Sequence, residues 1–158
     1  MGKFSHYDGA GKSVMVDVAG KEITKRSAMA RGFVCMGEEV LLQIVSDLLP
    51  KGNLFEVARI AGIMAAKKTS DLVPMCHPLN LSYVNVDLEL DEKRGGVVIT
   101  SEIRLDGKTG AEMEALAAVT VAALTVYDMC KAVDKSMVIE DVTLVEKRGG
   151  KSDFNSKT

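Results

Sequence analysis

Asp128 and Lys131 stand three positions apart, the spacing at which two side chains share a helix face and touch. A carboxylate beside an ammonium can hold and pass a proton, the work of a general acid–base pair. The same spacing also suits an ordinary surface ion pair of little energetic weight. Upstream, Glu112 and Glu114 offer two more carboxylates, either for proton transfer or simply as acids in the first turn of a helix. A third group is Met75-Cys76-His77 within SDLVPMCHPL, Ser70 to Leu79, where Pro74 and Pro78 forbid helix and stiffen the loop. As metal ligands Cys76 and His77 would need two further donors, and none has suitable local spacing. The alternative is a structural corner with His77 hydrogen-bonded and inert.

The stretch KTGAEMEALAAVTVAALTVYDMCKAVDK, Lys108 to Lys135, has to position the first two groups. Thr109 and Gly110 give it a plausible start, acids fill its first turn, and Lys131 and Lys135 follow at its far end, the order a helix dipole favours. No charge falls between Ala115 and Tyr127, and apolar groups cover almost the whole circumference. The run is small-residue-rich and short for a membrane span, so it reads as a core helix needing cover on every side, from a sheet and from a second subunit. Glu114 and Asp128 point within ~40° of each other but lie ~21 Å apart along the axis. One small pocket in one chain cannot hold both; if both are functional, either the ligand is long or the pocket is shared by two chains whose helices cross.

The length, 158 residues, suits a single domain over 1–158, with a polar, flexible arm over about 1–12 and a flexible tail over about 148–158. A net charge of −2 provides no basic field for nucleic acid, and the lack of Trp and low aromatic content argue against a base-stacking surface. Neither a signal peptide nor a membrane span is expected. Cys35, Cys76 and Cys130 are odd in number and show no C-x-x-C spacing, which points to a reducing, cytoplasmic setting. Two phosphate-loop lookalikes, GAGKS at Gly9 and GGKS at Gly149, lack the required upstream glycine, the positions being His6 and Val145, and read as solvated tails.

Along the chain, Val14–Val18 reads as a short strand and Ile23–Cys35 as a longer one with small residues at Ala28, Ala30 and Gly32 on one face. Glu38–Leu49 reads as a helix on the stripe Val40, Leu41, Ile44, Val45 and Leu48, broken by Pro50-Lys51-Gly52. Asn53 caps a second helix, with Glu56 at the capping-box position and the stripe Leu54, Val57, Ala58, Ala61, Met64 and Ala65. Asn80–Leu90 alternates with a phase slip at Tyr83-Val84 that suggests a bulge, pairs through a polar turn with Val97–Leu105, and Met137–Val145 is a last strand. The order contains β-α-β-β-α-β, which is the α+β ferredoxin-like sandwich: an antiparallel sheet with helices on one face. The bare sheet face then also asks for a cover.

Taken together, SDLVPMCHPL and the stretch from Lys108 closely resemble the cyclic pyranopterin monophosphate synthase family of molybdenum cofactor biosynthesis. The resemblance extends to MVDV at Met15, TKRSAMARG at Thr24, KGN at Lys51, AGIMAAK at Ala61 and GGKS at Gly149; Val73, Met75 and Ala111 replace other apolar residues. It implies a hexamer, a trimer of dimers with the pocket at the dimer interface. It implies conversion of 3′,8-cyclo-7,8-dihydroguanosine 5′-triphosphate to cyclic pyranopterin monophosphate and pyrophosphate. By the same resemblance Asp128 and Lys131 are the acid–base centre, and Met75, Cys76, His77, Met113 and Glu114 are the substrate pocket, with Glu112 beside them. Lys51 and Arg26 are assigned to the triphosphate, with Lys67 a lesser candidate. No metal ligand is assigned, although Mg²⁺ could travel with the triphosphate. The rival readings are a non-catalytic nucleotide-binding regulatory module and a purely structural oligomer, because fold does not fix function.

Overall fold

The computed structural model describes residues 5–46 and 53–156. Its elements are β1 (Thr24–Cys35), α1 (Glu38–Val45), α2 (Leu54–Lys67), α3 (Thr69–Leu72), β2 (Tyr83–Asp91), β3 (Gly96–Gly107), α4 (Glu112–Cys130), β4 (Val138–Arg148) and β5 (Phe154–Asn155). The sheet runs β2-β3-β1-β4-β5 with every neighbouring pair antiparallel. Strands β1 and β2 are therefore parallel with β3 between them, and β3 and β4 are parallel with β1 between them. Two split β-α-β units thus interleave, as expected for the ferredoxin-like sandwich. The helices α2 and α4 pack side by side on one face, α4 across β1, β3 and β4 and α2 over β2.

Two expected features are absent. Val14–Val18 forms no strand: both edges of β1 are taken by β3 and β4, so this apolar run has no adjoining edge to join. There is no bulge at Tyr83-Val84 either, since β2 pairs with β3 in unbroken register from Tyr83↔Arg104. The apparent phase slip marks the start of the strand, where Ser82 binds the Arg104 carbonyl through both its N–H and its hydroxyl, each at 2.9 Å. Bulges occur instead between β1 and β4, where Asp141 adopts φ 55°.

Asn53 caps α2 as expected, its side-chain oxygen accepting from the Glu56 N–H at 3.1 Å. The Glu56 carboxylate completes no capping box and turns to Arg59. The buried face of α2 is rotated from the expected stripe: Leu54, Ala58, Gly62, Ala65 and Ala66 are buried, whereas Val57, Ile60 and Met64 are exposed. Val40 of α1 is buried but Val45 is exposed; Leu48 and Leu49 lie outside the described residues. The bare sheet face largely covers itself. Arg104 and Arg148 flank Ser27 and pair with Glu102 and Glu146, which flank Met29, and Arg94 lies over the buried Phe33 ring.

The helix α4 starts at Glu112, after Ala111 rather than at Thr109-Gly110, and ends at Cys130. It is long and apolar enough to cross a membrane, yet it serves as the core helix. Ala115, Ala118, Val119, Ala122, Ala123, Val126 and Cys130 have no exposed surface at all. Its many alanines let α2 come close, and the point of closest approach is Gly62. A Cβ there would lie 2.8 Å from the Ala118 carbonyl oxygen, closer than real Cβ atoms come. Gly62→Val should therefore cost about 1–3 kcal/mol by forcing α2 off α4. An unchanged denaturant midpoint for this variant would contradict the packing described.

Candidate functional site

A cavity of about 430 Å³ opens at the N-terminal end of α4. Its floor is built by local hydrogen bonding. The Ser101 hydroxyl of β3 donates to the Ala115 carbonyl at 2.9 Å and pins the first turn of α4 to the sheet. That turn carries Glu112, Met113 and Glu114 into the lining. The opposite wall is the Met75-Cys76-His77 loop. Buried Thr69 donates to the Ala65 and Ala66 carbonyls and bends the chain off α2, and the Cys76 N–H then closes a turn on the Val73 carbonyl at 3.0 Å. Arg26 reaches in from the start of β1, its Nε donating to the Gly107 carbonyl at 2.8 Å. Seven of the residues singled out in the sequence, Arg26, Met75, Cys76, His77, Glu112, Met113 and Glu114, thus line one cavity.

Asp128, Lys131 and Lys67 do not. Asp128 and Lys131 sit at the far end of α4, with Leu124, Thr125 and Tyr127, where the Lys131 ammonium donates to the Asp128 carboxylate at 2.5 Å. Both side chains are more than half exposed. The Asp128 carboxylate, first through the hydrogen bond and then through its charge, holds the Lys131 ammonium above its ordinary range. In the single chain the neighbouring carboxylate prevails over burial, because nothing buries the pair. Lys51 lies outside the described residues. Lys67 faces a separate hollow beside Ile63 and Leu79.

Residues that the sequence did not single out complete the cavity. Lys21, Lys108, Lys147 and Lys151 join Arg26, giving five cations against the two carboxylates Glu112 and Glu114. Lys147 is brought in by register: it pairs with Ala28, whose side chain faces the helices, and it meets Glu112 at 3.0 Å. Gly149 turns the chain back with φ 83°; a Cβ there would collide with the Lys25 carbonyl, so only glycine delivers Gly150 and Lys151 to the cavity wall. Of the two phosphate-loop lookalikes, GGKS is no solvated tail, since its Gly150 and Lys151 line the cavity, whereas GAGKS stays exposed outside it.

Glu114 is only 4% exposed, and burial pushes its carboxyl up to about 7, with Glu112 adding a smaller push in the same direction. It can thus take or give a proton near neutrality. Burial, and then the Glu114 charge, push the Cys76 thiol up, the opposite of the shift that activates a nucleophilic cysteine.

A family model described as the MoaC family matches residues 15–150. The chain belongs to that family. Among curated proteins, three similar to this chain are each named cyclic pyranopterin monophosphate synthase. The Desulforapulum autotrophicum protein is 55% identical over 152 residues, which span 96% of this chain and 93% of its own. That of Heliobacterium modesticaldum is 53% identical, with 96% of each chain covered. That of Parvibaculum lavamentivorans is 53% identical over 156 residues, covering 98% of each. The cation-lined cavity and the charged end of α4 both fall within the matched family region, apart from Ser5, His6 and Lys151.

The shift at Glu114 has a sign that stability measurements read directly. Its folded value of about 7 lies above its ordinary 4.5, so its contribution to stability is full below 4.5 and is lost as pH rises through about 7. Glu114→Gln removes the titration but keeps the shape. Relative to that variant, the wild type should lose on the order of 3 kcal/mol between pH about 4.5 and about 7.5. Parallel pH profiles of the denaturant midpoint for the two proteins would refute the assignment.

Proposed function

We propose that this chain converts 3′,8-cyclo-7,8-dihydroguanosine 5′-triphosphate to cyclic pyranopterin monophosphate with release of pyrophosphate, in molybdenum cofactor biosynthesis. The observation that carries the proposal is the cavity itself, where five cations surround a buried carboxyl that titrates near neutrality. Cations bind a triphosphate, and a carboxyl of this kind moves protons as a purine-derived ring opens and recloses. A sugar hydroxyl attacks the α-phosphorus; its proton leaves as the new P–O bond forms, and pyrophosphate departs with the electrons of the old one. Arg26 and Lys51 hold phosphate oxygens, and Met75, Cys76, His77, Met113 and Glu114 frame the ring, with Glu112 oriented by Lys147. Mg²⁺ would enter on the phosphate oxygens, with no residue of this chain assigned to it.

Asp128 and Lys131 enter from a second copy. The uncovered stripe of α4 runs Met113, Ala117, Thr120, Leu124, Asp128 and Lys131, at the four- and three-residue steps of a single face. A two-fold axis passing near Thr120 and Val121 lays this stripe antiparallel on itself and sets Met113 of one copy opposite Asp128 of the other. It also covers Leu124, which is 56% exposed in the single chain. Desolvation there lowers the ammonium of Lys131 towards the range of a working acid, with Asp128 as its proton partner. A trimer of such dimers is the assembly this reading expects, in the cytoplasm.

Pyrophosphate release decides the activity: the purified protein should release it from the cyclised triphosphate and not from GTP. Tight binding without release would instead mark a regulatory nucleotide-binding module. Asp128→Asn should lower turnover by about 10²- to 10⁴-fold without loss of fold or assembly. Mixing inactive Asp128→Asn and Glu114→Gln chains should restore roughly a quarter of wild-type activity, because half of randomly formed dimers contain one intact shared site. Mixtures that stay inactive after subunit exchange would exclude a site built from two chains.

A further inference from the structure

The segment 5–22 is folded on itself and laid across the cavity. Tyr7 and Ser13 form an antiparallel bridge, and the Val14 N–H donates to the His6 carbonyl at 3.0 Å. The Asp8 carboxylate closes the tip by accepting from the Ala10 and Lys12 N–H groups. Further along, the Asp17 carboxylate accepts from the Ala19 N–H at 2.8 Å, and the Lys21 N–H donates to the Val18 carbonyl at 3.1 Å. This second turn presents the Ala19 carbonyl outward, where the Lys108 ammonium donates to it at 2.7 Å. Lys108 belongs to the loop that leads directly into the first turn of α4. Ser5, His6, Val16, Val18 and Lys21 of the segment all line the cavity.

Little apolar surface holds the segment down, since Tyr7, Val14 and Met15 are exposed. Lifting it would forfeit few buried contacts, the condition for a segment that opens at low free-energy cost. We infer that residues 5–22 form a strap over the substrate cavity, that Lys108 is a positioning residue latching the strap through the Ala19 carbonyl, and that the strap carries His6 and Lys21 onto the bound triphosphate. This rests on the function proposed above for its ligand, but not for the latch. Closure excludes water from a site where a phosphorus is to be attacked by a sugar hydroxyl, and opening lets pyrophosphate leave.

Trypsin reads the strap directly, because Lys12 and Lys21 lie within it. On the full-length protein without ligand, Lys108→Met should speed cleavage after these two residues about five- to tenfold, the net worth of one solvent-exposed hydrogen bond. Lys108→Arg, which keeps a donor, should stay near the wild-type rate. Inorganic pyrophosphate should slow cleavage of the wild type. Asp17→Ala breaks the turn that presents the Ala19 carbonyl without touching the cavity lining, and should open the strap in the same way. Asp17→Ala, which leaves every cavity cation in place, should raise the KM for the cyclised triphosphate several-fold while kcat stays within about twofold. Equal cleavage rates in wild type, Lys108→Met and Asp17→Ala would overturn the latch. An unchanged KM in Asp17→Ala, with a wild type that turns over, would overturn the strap's role in binding. A wild type that releases no pyrophosphate would defeat the functional reading, and the cleavage rates would still decide the latch.

Discussion

The distance at which α4 can lie from its neighbours governs the rest of the molecule. Its inner faces are built from alanine, with Ala115, Ala118, Ala122 and Ala123 fully buried, so both the sheet and α2 approach until backbone nearly touches backbone at Gly62. Close packing of this kind gains dispersion contacts that larger side chains could reach only with less regular geometry. It also fixes the helix in rotation. With one face on β1, β3 and β4 and another on α2, only one stripe is left to solvent, and that stripe begins at Met113 and ends at Asp128 and Lys131. The placement of the chemistry at both ends of the helix follows from the packing of its middle.

Helix rise then separates the two ends by ~21 Å, which no side chain spans. The first end has what a proton-transfer site needs in one chain: a buried carboxyl, a stiff loop and surrounding cations. Its two glutamates experience different surroundings within one turn of the helix. Glu112 faces the Lys147 ammonium, whereas Glu114 is drawn inward beside Cys76 and away from water. Two carboxyl groups in unlike environments can play unlike roles, one holding charge near a phosphate and the other exchanging a proton. The second end has an ion pair with no cover. Its charges are worth little in water and far more once desolvated, so it gains chemical force only against another surface.

Much of this was visible in the residue order. The alternation of Val97–Leu105, the turn at Asp91–Gly96 and the uniformly apolar stretch after Ala115 give the sheet-and-helix order because each pattern has one physical solution. The cavity lining was visible where motifs are local, as at Met75-Cys76-His77 and Glu112–Glu114. It was hidden wherever register decides. Lys147 looks like one more charge in a strand until its pairing with Ala28 puts it on the helix side of the sheet. Val16 and Val18 look like strand residues, because a pattern of apolar residues carries no information about whether a sheet edge is free to receive it. The face of α2 was misjudged for a related reason: Val57, Ile60 and Met64 are as apolar as the residues that are buried, and period alone cannot say which stripe meets α4 when small residues are the ones chosen for contact.

The inferred strap gives a rigid sandwich a moving part. The sheet and α4 supply fixed positions, and fixed positions are what orientation of a reacting group requires. The substrate proposed for this chain carries a triphosphate, and it must nonetheless enter, be enclosed and lose most of its charge as pyrophosphate. Segments with their own internal hydrogen bonds and little buried apolar surface can do this without disturbing the core, since they lift as units and return to the same place. The 5–22 segment has that construction, and the turn at Gly149 gives the opposite end of the chain a similar position beside Arg26. Cations mounted on such segments contribute most when an anion bridges them to the body, and least when it has gone. Binding of the phosphates and closure of the cavity are on this argument one event: the charge that draws the substrate in is the charge that holds the strap down, and its departure as pyrophosphate releases both.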